Sequence, residues 1–226
     1  MKFLSSLLQK ASGSVGGSTY SRNRGGQYIR ARTTPTNPSS APQQAQRALL
    51  SSLVAAWGAL TTSQRDAWNA YAVANPITDK LGEPRNAGGL GLFIKAQSAR
   101  RLFGLTNVVA APTISTPVVF TPPVVTAIIP ATPAMTLTFT NTDEWATAAG
   151  GAMGMFVSRP QPATINGFKG PFLFAGRVLG AATPPTSPIN QTIPFPIVVG
   201  QRLFVRTLAV SVDGRVSGES ITFRVA

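Results

Sequence analysis

Cysteine and histidine are absent from this chain of 226 residues. That excludes disulfides, thiolate nucleophiles, imidazole general bases and the commonest zinc ligands. Acid is scarce: Asp and Glu total seven against 20 Lys and Arg, for a net charge of +13. Charged residues make up 12% of the sequence, where about 25% is usual. No apolar run approaches the roughly 20 residues that a membrane-spanning helix needs. The segment Phe3-Leu-Ser-Ser-Leu-Leu8, stopped by Lys10, is too short and broken for a secretory leader and reads as one amphipathic helical turn or two.

The few carboxylates leave little room for catalysis. Asp66 ends Ser63-Gln-Arg-Asp66, the spacing of a capping box, and Asp213 precedes Gly214 in a hairpin signal. Asp143 and Glu144 are neighbours, so a strand would point them to opposite faces and a loop would leave both solvated. No remaining pair suits two-carboxylate chemistry or a cation, and no Ser-x-x-Lys occurs. Gly13, Gly16 and Gly17 are not followed by Gly-Lys-Ser/Thr, so they form no phosphate cradle. The expectation is a protein that is not an enzyme and takes no cofactor or metal.

What the chain has is a basic leading segment. Residues 1–65 hold eight Lys or Arg and no acid. Within them lies Gly13-Ser-Val-Gly-Gly-Ser-Thr-Tyr-Ser-Arg-Asn-Arg-Gly-Gly-Gln-Tyr-Ile-Arg-Ala-Arg32. Its apolar content is too low for a core of its own. Residues 1–40 are therefore read as an extended arm, ordered only by docking on other molecules. Arg22, Arg24, Arg30 and Arg32 would supply charge-assisted contacts, and Tyr20 and Tyr28 would fill apolar pockets. The single Arg24-Gly-Gly26 element with two tyrosines would also suit nucleic acid.

Three helices are expected over 41–105. Leu49, Leu53 and Trp57 make a stripe at helical spacing, with Ser39 or Ser40 as cap and Pro42 in the first turn. Trp68 and Tyr71 mark a second helix ending before Pro76, and Leu90, Phe93, Ile94 and Leu102 a third. Trp57, Trp68, Tyr71 and Phe93 are expected to form its core. Residues 106–133, with Pro112, Pro117, Pro122, Pro123, Pro130 and Pro133, read as a stiff extended connector. Beyond it the period becomes two. Strands are expected at Thr136–Thr140, Ala152–Ser158, Pro171–Leu179, Ile193–Val199, Gln201–Val210 and Ser220–Val225, making 134–226 a β-sandwich. Phe172 and Phe174 are expected in its core. Phe168, at a glycine-flanked loop tip, is the candidate exposed contact. The fold class is thus α+β: arm, three-helix segment and antiparallel sandwich.

Two resemblances follow from particular stretches. Leu203-Phe-Val-Arg-Thr-Leu-Ala-Val-Ser-Val-Asp-Gly-Arg-Val-Ser-Gly-Glu-Ser220 resembles the closing strands of a fibronectin type III (Ig-like) module. Such modules usually hold a core tryptophan on an early strand, whereas Trp145 falls in an expected loop. Ser21-Arg-Asn-Arg-Gly-Gly-Gln27, Thr34-Pro-Thr-Asn-Pro38, Leu60-Thr-Thr-Ser-Gln-Arg-Asp-Ala-Trp-Asn-Ala70 and Ser158–Gly176 are similar to virion structural proteins of tailed bacteriophages. That resemblance implies a virion location as a capsid decoration or cement protein, a head–tail connector or neck protein, or a tail component. The implied partners are major capsid, connector or tail proteins and further copies of the chain in a homo-oligomer. Two alternatives stay open: a capsid protein whose basic arm faces the genome, and a host-recognition adhesin built on the sandwich.

Overall fold

A computed structural model describes residues 11–79 and 81–226. The short helical segment expected over Phe3–Leu8, with Lys2 and Lys10, lies outside them. The chain is of the α+β class, with four helices and several antiparallel sheets among the described residues.

The leading segment is not simply extended. Strands β1 (Gly13–Val15), β2 (Ser18–Asn23) and β3 (Gly26–Ala31) form an antiparallel meander. Val15 pairs with Ser18 and Asn23 with Gly26, so both connections are two-residue turns, Gly16-Gly17 and Arg24-Gly25. Gly16 has φ +56°, the left-handed conformation that such turns require. The Asn23 side-chain oxygen accepts from the Gly25 amide at 2.9 Å and closes the second. No residue from 11 to 52 is buried, so the meander has strand pairing without a core.

Helices α1 (Ala41–Gly58), α2 (Thr62–Ala74) and α3 (Gly88–Leu102) follow. Ser40 caps α1, with Pro42 in the first turn. The cap of α2 is Thr61, two residues before the expected Ser63 box. Gln64 N donates to Thr61 Oγ1 at 3.3 Å, and Thr61 N donates to Gln64 Oε1 at 2.9 Å. Asp66 is left exposed, without the capping role expected of it. Trp68 and Phe93 are buried edge to face, centroids 5.4 Å apart, and Trp57 tilts onto Phe93 at 5.5 Å. Full burial of one such ring contributes ~2–3 kcal/mol.

The loop between α2 and α3 carries the short pair β4 (Ile77–Thr78) and β5 (Pro84–Arg85). It is closed by Asp79, whose Oδ1 accepts from Leu81 N at 2.7 Å and Glu83 N at 3.0 Å. The Glu83 and Leu81 amides, in that order, hold the Asp79 carboxyl below the usual range. A depressed folded pKa means that the contribution is present above the unfolded value and lost as pH falls through the folded one. Acid titration followed by NMR should move the Leu81 and Glu83 amides together, below the ordinary Asp range. Asp79→Asn should remove that transition.

The remaining strands are β6 (Val124–Ile129), β7 (Ala134–Thr138), β8 (Ala152–Ser158), β9 (Gln161–Pro162), β10 (Phe172–Leu179), β11 (Ile189–Thr192), β12 (Gln201–Val210) and β13 (Ser220–Val225). They form a three-stranded sheet, β11-β7-β6, and a larger one, β10-β8-β12-β13, with β9 beside β12. The two enclose one core. Met135 and Leu137 come from the first sheet, and Met153, Met155, Val157, Leu203 and Val205 from the second.

Three expectations change here. The proline connector is shorter than 106–133, because β6 arises within it where no proline interrupts residues 124–129. It takes an edge position, as proline-flanked strands do. Ile193–Val199 is no strand: Pro194 and Pro196 remove ladder donors, and pairing falls instead on the polar Ile189–Thr192. Trp145 is not in a solvated loop. It lies on α4 (Glu144–Thr147), fully buried, its ring 5.4 Å from Phe139.

Candidate functional site

The meander brings some of the expected arm residues together and separates others. Tyr20 pairs directly with Ile29, so both rise from one face, which Val15 and Arg22 share by strand alternation. Tyr28 and Arg30 rise from the opposite face, across from Ser21 and Thr19. The two tyrosines therefore address different sides of the sheet. Arg24 occupies the second turn, and Arg32 follows β3, its amide donating to Gly17 O at 2.8 Å. Both tyrosines are half-buried, whereas Arg22, Arg24, Arg30 and Arg32 are exposed. None of these arginines forms an ion pair among the described residues. Among the described residues, β1 and β3 are the outer strands of this sheet.

Phe168 is half-buried rather than free at a loop tip. Its ring stacks on Phe204 at 5.7 Å and meets Phe172 edge-on at 5.2 Å. Phe172 and Phe174 share a face, as expected, but it is the outer face of the larger sheet. Phe174 pairs with Phe156, and both lie near Phe103 just beyond α3. Phe103 lies on Gly154, where a Cβ would come within 2.0 Å of its ring.

That outer face carries a feature the residue-by-residue reading did not find. Arg202 and Arg206 project from β12 onto phenyl rings, Arg202 Cζ standing 4.6 Å above Phe223 and Arg206 Cζ 4.6 Å above Phe156. A guanidinium lying flat on a ring gains attraction from the ring's negative face. The alternation of Phe204 with Arg202 and Arg206 was visible in the sequence. Which side of the strand it occupied was not.

Carboxylates and cations elsewhere hold the molecule together. Asp143 and Glu144, far from both being solvated, each take structural partners. Asp143 accepts from the Thr121 amide at 2.9 Å and its hydroxyl at 3.0 Å. Glu144 accepts from Ser211 Oγ at 2.6 Å and from Arg215. Arg215 also meets Asp213 at 2.6 Å and donates to Thr116 O. Burial opposes its charge, but Asp213 and then Glu144 outweigh that and raise its pKa. A cleft of ≈ 370 Å³ lies between α2, α3 and this turn, lined by Trp68, Tyr71, Lys95 and Pro117 among others. Burial, then the nearby Asp213 charge, lifts the Tyr71 hydroxyl above its ordinary value. Arg215, in the lining of this cleft, is committed to protein acceptors.

Among the described residues, no helix is long and apolar enough to cross a membrane. No protein-family model, curated protein or solved structure matches the chain.

Proposed function

We propose that this chain is a non-enzymatic structural component of a tailed-phage virion, joined to neighbouring subunits through its basic leading segment. The observation that carries the reading is the meander Gly13–Ala31 with Arg32 just beyond it: a paired sheet with no buried residue, bearing the exposed Arg22, Arg24, Arg30 and Arg32. A three-stranded sheet without a buried apolar face is marginal alone. Docking supplies what it lacks. The basic turn and strand ends of the sheet face outward, and Arg22, Arg24, Arg30 and Arg32 meet acidic groups of the neighbour. A sheet already paired loses less entropy on binding than an unstructured tail would.

The resemblance of Ser21–Gln27, Thr34–Pro38 and Leu60–Ala70 to phage virion proteins supports the placement in a particle. Capsid decoration or cement comes first, then head–tail connector or neck, then tail. Major capsid, connector or tail proteins and copies of the chain are the partners. The C-terminal unit is read as a fibronectin type III-like sandwich, supported by its three- and five-stranded antiparallel sheets over one core; Trp145, on a helix rather than an early strand, departs from that pattern.

The test compares the full chain with one beginning at Ser39. Since no described residue before Leu53 is buried, the shortened chain should keep its stability to within about 0.5 kcal/mol. It should nevertheless be lost from assembled particles. Unchanged incorporation and particle stability would reject the reading. Replacing the four arginines with glutamine should weaken incorporation. Intact shell binding with lost genome retention would instead assign the segment to nucleic acid.

A further inference from the structure

We infer that the outer face of β13, flanked by the β12 arginines, docks an acidic protein partner, separately from the leading segment. The argument begins with register. Leu203 and Val205 of β12 point into the shared core, and their partners on β13 are Arg224 and Thr222. The side of β13 turned toward the core is therefore polar: Ser220, Thr222 and Arg224. Its outward side is Ile221, Phe223 and Val225, exposed by 49%, 52% and 39%. A half-buried strand normally alternates the other way, apolar inward and polar outward. β13 keeps this inverted register over its full pairing with β12, without a bulge. The inversion leaves the Thr222 hydroxyl buried without a hydrogen-bond partner. Apolar side chains held toward solvent at that cost mark a surface that something else covers.

Charge selects the occupant. Arg202 and Arg206 border the stripe. Arg202 donates to Ile165 O and to Asn166 Oδ1, the latter at 2.7 Å, without a carboxylate. Among the described residues, Glu219, 3.3 Å from Arg206, is the one carboxylate paired with either, so the pair leaves a net positive charge. A second copy laid on this face would oppose arginine to arginine, and the chain's own leading segment is basic. Nucleic acid would want open rings for its bases. Here the inner-strand rings Phe156 and Phe204 are covered, and Ile221 and Val225 have nothing to stack. Phenylalanine, aliphatics and arginine with little acid make the composition of a protein interface core. The partner is thus a protein segment that alternates carboxylates with apolar side chains.

The experiment uses the full chain and a fluorescent peptide alternating glutamate with leucine, read by anisotropy. Binding should be detected for this peptide and lost when lysine replaces its glutamates. Phe223→Thr and, separately, Ile221→Thr should each weaken it about tenfold. Arg206→Gln should weaken it about two- to fivefold, the worth of one half-exposed ion pair. The thermal midpoints of the Phe223 and Ile221 variants should stay near that of the parent. Absent peptide binding, tighter binding of oligothymidylate, or dimerisation abolished by Phe223→Thr would each overturn the inference. So would large losses of thermal stability in both variants, since the stripe would then be core.

Discussion

Replacing Arg100 with methionine should destabilise the protein by about 3–5 kcal/mol, the scale of breaking a buried, fully hydrogen-bonded charged group whose two donor nitrogens serve four carbonyls. Arg100 is 3% exposed, near the end of α3. Its Nε donates to Thr106 O at 2.9 Å. One terminal nitrogen is shared among Gly150 O at 3.0 Å, Ser211 O at 2.9 Å and Val212 O at 3.1 Å. A single side chain thereby ties the third helix to the connector and to two loops of the β unit. Desolvation lowers its pKa, opposed by the Asp213 charge, yet it stays cationic throughout the working range. Methionine keeps the aliphatic stem and removes every donor. Urea unfolding followed by tryptophan fluorescence should show the helical part separating from the β unit before it, in place of one shared transition. A variant that unfolds in one step with stability changed by less than about 1 kcal/mol would show that the tie contributes little.

Trp145→Ala should be similarly severe, about 3–5 kcal/mol for removing a large buried ring. The residue is fully buried, packs on Phe139, and sits among Met153, Met155 and Val178 in the shared core. Its backbone is clasped as well: a Cβ at Gly151 or Gly180 would lie 2.2 Å or 2.0 Å from Trp145 O. Trp145→Phe should cost far less, about 1 kcal/mol, because volume is largely kept and the indole N–H has no acceptor to lose. Calorimetry on the pair of variants separates packing from hydrogen bonding. Equal losses for phenylalanine and alanine would contradict a packing role.

Both residues show where reading along the chain stops. Trp145 stands beside Asp143 and Glu144, and locally that triplet reads as a solvated loop. Its burial depends on Thr121 and Arg215, distant in sequence, which take up the two carboxylates. Arg100 reads as one of two cations at a helix end. Only the approach of residues 150 and 211–212 surrounds it with carbonyls. The leading segment was more legible than its reading allowed. Gly16-Gly17 and Arg24-Gly25 are two-residue turn signals, but the scarcity of apolar residues argued for an extended arm, because strand pairing was judged by its ability to make a core.

Composition and periodicity alone determined the lack of thiol and imidazole chemistry, the basic leading segment, three helices, and a change to period two near residue 134. These are local properties: each rests on residue type or on spacing within a few turns of chain. The tertiary structure alone decided which side of each strand faces the core. A period of two is unchanged when a strand is turned over, so Ser220–Val225 reads the same with Phe223 inward or outward. Pairing with β12 breaks that symmetry, and it turns the apolar side away from the core, where Ile221, Phe223 and Val225 stay exposed.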